Sequence, residues 1–232
     1  HASAPSKGTP IARLSAFVNE VETHSPFRKK LLPEVSAMFT ELAPYAGFGM
    51  KLVFGNVWLF GPVLKAVMPA ISAQAGAMLK TTIAFTVQKG SDAYNVLPQE
   101  AYVGANMRFI THQGEKESLE IIKKVADKYG LETEVLHAND YTPPVDIHGE
   151  AFHLVEQTIA DTFPGLPSSP YVMTGATDAQ FYQPICKSCI RFAPVVYGPE
   201  QMKGMHGLNE NIEYNCLPGA VRFYKNLIRA EK

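Results

Sequence analysis

The chain has 232 residues, 46% of them hydrophobic and 19% charged, with 21 Lys and Arg against 22 Asp and Glu. That length and balance fit one large or two small folded domains and exclude a disordered chain. A formal net charge of -1 leaves no basic footprint for nucleic acid.

Thr9-Pro10 reads as a helix N-cap followed by Pro at the first helical position. Ile11, Leu14, Phe17, Val18 and Val21 follow at helical spacing, which predicts an amphipathic helix over Pro10–Glu22. From Ser25 to Lys80 the pattern stays helical, and Pro26, Pro33, Pro44, Pro62 and Pro69 are expected to break it into short pieces. The pieces Glu34–Leu42, Met50–Phe60 and Val63–Leu79 carry Leu, Met, Phe and Trp58. Such faces serve either as core packing or as the lining of an apolar substrate path. The longest uncharged run, Leu52 to Leu64, falls short of the roughly 20 residues a bilayer crossing needs. No membrane span is expected, and an interfacial or partner-facing insert stays open.

The period then changes. Thr81–Gln88 alternates and is rich in β-branched residues, which predicts a strand, and Lys89-Gly90-Ser91-Asp92 a turn. Asn95-Val96-Leu97-Pro98 leads into a second strand within Gln99–Ile110. Glu115–Tyr129 is predicted as a helix ended by Gly130, and Glu132–His137 as a third strand. Helix, strand, strand, helix, strand is a ferredoxin-like βαββαβ order short of its leading strand. Tyr141-Thr142-Pro143-Pro144 reads as a linker between two units, residues 1–142 and 143–232. The second unit is predicted to hold helices over Gly149–Phe163 and Pro218–Ala230 and strands over Val172–Gly175 and Ile190–Val196, an α/β pattern.

Cys186, Cys189 and Cys216 make no disulfide framework. Cys186-x-x-Cys189 has no second pair for a zinc site, so these are expected to be bystander thiols in a reducing, cytoplasmic setting. The polar, small-residue opening is not expected to be a signal peptide.

Gly204-Met205-His206-Gly207-Leu208-Asn209-Glu210 places a His on a Gly-flanked loop after an apolar run. Imidazole is the commonest transition-metal ligand among side chains, although a loop His can equally be satisfied by backbone groups. Glu210 reads as a brace for this loop, acting behind the ligand. His24, His112, His137, His148 and His153 lack ligand spacing.

Three stretches agree in order: His1-Ala2-Ser3-Ala4-Pro5; Asn95-Val96-Leu97-Pro98 before a strand ending at Arg108; and Gly175-Ala176-Thr177-Asp178 followed by His206-Gly207-x-Asn209-Glu210. In this the chain resembles the zinc aminoacylase and carboxypeptidase S group of metallopeptidases, peptidase family M20. The long helical insert over about 25–80 resembles the carboxypeptidase S branch. The resemblance implies a ferredoxin-like lid, often used for homodimerisation, over residues 1–142. It implies the C-terminal part of an α/β catalytic domain over 143–232, an α/β (α+β) chain in all. It further implies that His206 is the last ligand of a two-zinc site and that His1 stabilises the oxyanion. Asn95 and Arg108 would hold the substrate carboxylate, and Asp178 would shape the wall of the site. The substrate would be a peptide or N-acyl amino acid, and the released amino acid a hydrophobic one.

The family's other ligands, a His-x-Asp, a bridging Asp, a Glu-Glu pair and one further Asp, have no counterpart in this sequence. The chain is therefore expected to be part of a longer enzyme, neither zinc-loaded nor active by itself. Gln180 stands where relatives often carry Arg. The other expectation, from a different class, is a dimerisation or binding module: a sheet edge left open invites pairing with another chain.

Overall fold

In the computed structural model residues 1–139 and 141–231 are described, so the last residue of the predicted second unit lies outside them. The helices are α1 (Pro10–Thr23), α2 (Pro33–Leu42), α3 (Phe48–Gly55), α4 (Val57–Ile71) and α5 (Ala73–Ala77), followed by strands β1 (Thr82–Lys89) and β2 (Tyr102–Arg108). Then come α6 (Glu115–Asp127), α7 (Glu150–Thr162), α8 (Ala179–Tyr182), α9 (Pro199–Gly204) and α10 (Leu217–Ala230). The chain is thus α+β, with its described strands gathered in one antiparallel hairpin.

That hairpin pairs Thr82 with Arg108 and Lys89 with Tyr102, with a bulge between Phe85 and Val87. One face carries Ile83, Phe85, Val103 and Met107 against α1 and α6, where Phe17, Val21, Ile122, Val125 and Ala126 are buried. The apolar spacing of α1 makes this contact possible: Leu14, Phe17 and Val21 all fall on its buried side. Thr9 accepts the Ala12 N–H as N-cap, and Gly130 adopts a φ of 61° at the end of α6, where Leu131 N–H bonds the Ala126 carbonyl.

A carboxylate ties the two helices. Lys128 Nζ donates to Glu20 Oε1 at 2.7 Å and Tyr129 Oη to Glu20 Oε2 at 2.5 Å. These donors, Lys128 first, hold the Glu20 carboxyl below its ordinary 4.5, and Glu20 raises the Tyr129 phenol above its usual 10.0. A depressed carboxyl contributes stability that is present above its unfolded value and is lost as pH falls through the folded one. Urea titrations of the wild type should therefore show stability falling below pH 4.5, with that component absent in Glu20→Gln. Parallel pH profiles for the two proteins would refute the linkage.

The insert is broken where expected at Pro33, which opens α2, and at Pro44, which lies between α2 and α3, but not at the last two prolines. Pro62 and Pro69 lie inside α4, and the break comes earlier, at Asn56, where α3 and α4 are bent by 109°. Asn56 Nδ2 donates to the Leu52 carbonyl at 2.9 Å while its own carbonyl accepts the Leu59 and Phe60 N–H groups. One residue closes one helix and opens the next, as short amide side chains do. A proline removes only one donor and can ride inside a packed helix. No single helix is long and apolar enough to cross a membrane.

Val57, Leu64 and Met68 of α4 pack on Leu32, Val35, Met38 and Leu79 as a second core. Phe48 of α3 (90% exposed) and Trp58 of α4 (82%) stay outside this core, so much of the apolar surface of the insert is uncovered.

The second half is helical and irregular. Phe223 of α10 is buried against Phe192 at a ring separation of 4.8 Å, and Asn226 Nδ2 donates to Thr162 Oγ1 of α7 at 3.0 Å. Gly219 permits this approach: a Cβ there would stand 2.9 Å from the Phe163 ring. The predicted strands over Glu132–His137, Val172–Gly175 and Ile190–Val196 are not formed. Their residues have strand-like composition, but a strand exists only where a second backbone completes the ladder, and among the described residues none does. The second half accordingly shows no α/β sheet.

Candidate functional site

Between the hairpin and the second half lies a groove of about 1930 Å³. Small-molecule sites usually occupy about 300–1,000 Å³, so this one has room for an extended ligand. One wall comes from α1, β2, α6 and residues 130–139, the other from residues 141–193. Phe152, Val155, Ile159, Val172 and Ile190 make much of the second wall apolar.

Arg108 lines this groove as the last residue of β2, exposed and opposite Thr82. On the other wall Arg191 lines it too, with Nε donating to Thr177 Oγ1 at 3.2 Å. Neither guanidinium is ion-paired with a described carboxylate. Beside Arg191, burial first and then the Cys186 thiol push the Cys189 thiol above its ordinary value, so it is poorly disposed to form thiolate. Cys186 is exposed and neither cysteine is in a disulfide.

His1, Asn95, Asp178, His206 and Glu210 lie outside the groove lining. The segment carrying His1 meets the backbone of Asn95. The Ala2 N–H donates to the Asn95 carbonyl at 3.1 Å, and His1 Nδ1 is 2.8 Å from Ser3 Oγ, so the histidine segment is folded back onto the turn before β2. His1 and Asn95 are both exposed.

Asp178 sits at the N-cap position of α8, but its side chain makes no capping bond. The neighbouring Thr177 Oγ1 accepts the Ala179 N–H at 3.4 Å instead.

His206 is exposed, with a φ of 60°, and Asn209 follows at 64°. Left-handed backbone is uncommon outside glycine, and His and Asn are among the residues that tolerate it. The loop holds this shape because Glu210 Oε2 accepts the His206 N–H at 3.1 Å and Gly204 O accepts the Gly207 N–H at 2.8 Å. Gln201, buried beneath it, accepts the Gly198 N–H at 3.1 Å and donates to Asn211 Oδ1 at 3.2 Å. Motif reading gave no role to Thr177, Arg191 or Gln201. A lone Arg, Thr or Gln has no spacing rule, and two of the contacts that matter, Arg191 to Thr177 and Gln201 to Asn211, join residues ten or more apart.

The family model described as "Peptidase family M20/M25/M40" matches residues 28–230. The chain belongs to this family. Among curated proteins it is similar to the N-fatty-acyl-amino acid synthase/hydrolase PM20D1 of Xenopus tropicalis, at 31% identity over 99% of this chain and 45% of that one. The human PM20D1 is also 31% identical, over 99% of this chain and 46% of its own length. The probable carboxypeptidase S-like 2 of Dictyostelium discoideum is 24% identical over 99% and 44%. The chain thus spans about half the length of these relatives. No solved structure matches.

M20 enzymes work with bound zinc, and a catalytic zinc takes about three protein ligands. Among the described residues no three His, Cys, Asp or Glu side chains gather where a metal ion could be held. His206 offers one exposed imidazole, so the donors described here do not fit a complete M20 zinc site.

Proposed function

We propose that this M20 chain supplies the substrate groove of a zinc-dependent amidohydrolase. That enzyme would release an amino acid, hydrophobic in side chain, from an N-acyl amino acid or peptide. The observation that carries the reading is Arg108, exposed and without an ion pair, on the lining of a large, mostly apolar groove in a chain of this family. A guanidinium presents donors matched to a carboxylate, and the apolar wall suits the acyl or side-chain portion. Our reading takes residues 1–142 as a ferredoxin-like lid with a helical insert and 143–232 as the C-terminal part of the catalytic domain. In it His206 is one of the zinc ligands, His1 a donor to the oxyanion, Asn95 a second substrate contact and Asp178 part of the wall. Glu210 holds the His206 loop.

A second reading, a dimerisation module, is favoured by β1 and β2 pairing with each other and with no other described strand, which leaves an outer edge on each. Homodimerisation through the lid is compatible with either reading.

The test is release of free amino acid from an N-acyl amino acid by the full-length gene product. Activity is expected in the wild type. Arg108→Gln is expected to raise KM about tenfold or more, as loss of one charge-assisted contact does. A full-length product that releases no amino acid would sink the hydrolase reading.

A further inference from the structure

We propose that Arg191 is a specificity-determining residue of the groove that Arg108 also lines, a guanidinium that binds the free α-carboxylate of the N-acyl amino acid. The assignment rests on the hydrolase reading. It adds a residue that no motif of the chain singled out.

Charge on the second wall carries the argument. Of the residues between 141 and 193 that line the groove, Arg191 is the one cation and Glu156 the one acid. Glu156 already faces His153, with Oε2 at 3.1 Å from Nδ1. The Arg191 charge therefore has no carboxylate of its own wall to answer it.

Geometry adds to this. Thr177 Oγ1 takes the Nε–H at 3.2 Å. That bond fixes one edge of the planar guanidinium and leaves the two terminal nitrogens for a ligand, the fork that matches a carboxylate. Thr177 is itself fixed, its carbonyl accepting the Gln180 N–H at 3.1 Å and its hydroxyl the Ala179 N–H. Gln180, which lines the groove on the following turn, is neutral and adds no competing cation. Ile190 and Val172 on the same wall lower the local polarity, which strengthens an ion pair formed there. An arginine half-buried, held at Nε and lacking an acidic partner is built to receive an anion.

The experiment is isothermal titration of the purified chain with N-dodecanoyl-leucine and, separately, its primary amide. Wild type, Arg191→Gln, Arg191→Lys and Thr177→Val are compared, with circular dichroism as the check on folding. Wild type is expected to bind the acid about tenfold or more tighter than the amide, the range of a charge-assisted contact. Arg191→Gln should reduce that preference by weakening the acid about tenfold while amide affinity stays within about twofold, the remainder being carried by Arg108. Arg191→Lys, which keeps the charge but not the fork, should fall between them, and Thr177→Val should lose less than Arg191→Gln. An arginine that merely braces its turn would weaken both ligands alike and would not be rescued by Lys. An unchanged acid-over-amide preference in Arg191→Gln, or an equal loss for both ligands, overturns the assignment and leaves the hydrolase reading standing. Binding of neither ligand by wild type overturns the assignment, whereas the hydrolase reading falls only if the full-length product releases no amino acid.

Discussion

Phe17→Ala is expected to destabilise the chain by about 3–5 kcal/mol, the range for deleting a buried aromatic ring. Phe17 is 5% exposed and sits where α1, the hairpin and α6 meet. Its ring lies edge-on to Phe85 at 5.6 Å and to Tyr129 at 6.4 Å. Edge-on aromatic pairs add about 0.5–1.5 kcal/mol beyond the area they bury. Collapse into the void is hindered because the ring's neighbours stand on separate elements: Phe85 on a strand, Tyr129 just beyond α6, and Val21 one turn on along α1. Denaturant unfolding followed by far-ultraviolet circular dichroism measures the loss. Phe17→Leu, which keeps most of the volume, should lose about 1.5 kcal/mol or less. A Phe17→Ala midpoint close to wild type would mean that α1 is not a working part of this core.

Gln113→Leu is expected to cost about 1–3 kcal/mol, because it takes the acceptor from the part-buried Arg28 N–H rather than opening a cavity. Gln113 is 1% exposed, and Thr81 and Ser118 are fully buried beside it. Its side-chain oxygen accepts the Arg28 N–H at 3.0 Å, and its amide donates to Glu117 Oε1 at 3.3 Å. Its carbonyl takes the Thr81 and Ser118 hydroxyls, each at 2.9 Å. The chain leading into the insert is thereby pinned to the start of α6. Leucine fills the space but leaves the Arg28 N–H without its acceptor. A double-mutant cycle with Thr81→Val should show coupling of about 0.5 kcal/mol or more, as groups sharing one network do. Strict additivity, or a neutral single variant, would show that the network is not cooperative.

The comparison between sequence and structure divides along physical lines. Local signals were legible. Thr9-Pro10 and the Leu14, Phe17, Val21 spacing located α1 to within a residue, and Gly130 marked the end of α6. Both strands of the hairpin were found, the first by alternation and the second after the Asn95–Pro98 stretch, and each has its partner close in sequence. The motif order His1, Asn95, Asp178, His206 led to the family before any contact was known. Where a segment's state depends on a distant backbone, composition misled. Glu132–His137 and Ile190–Val196 read as strands and are not, since pairing requires a neighbour that composition cannot supply. The break between α3 and α4 fell at Asn56 rather than at the prolines, because a side-chain bond to Leu52 decides it.

The sequence by itself determined what kind of chain this is: helices, a hairpin and a metallopeptidase order of motifs, all written in short-range pattern. Only the tertiary structure decided which charged groups share a space. It put Arg108 and Arg191 on one groove, folded the His1 segment against Asn95, and set His206 on a separate exposed loop. The reason is that periodicity and capping act within a few residues, whereas an ion without a partner is a property of everything that surrounds it.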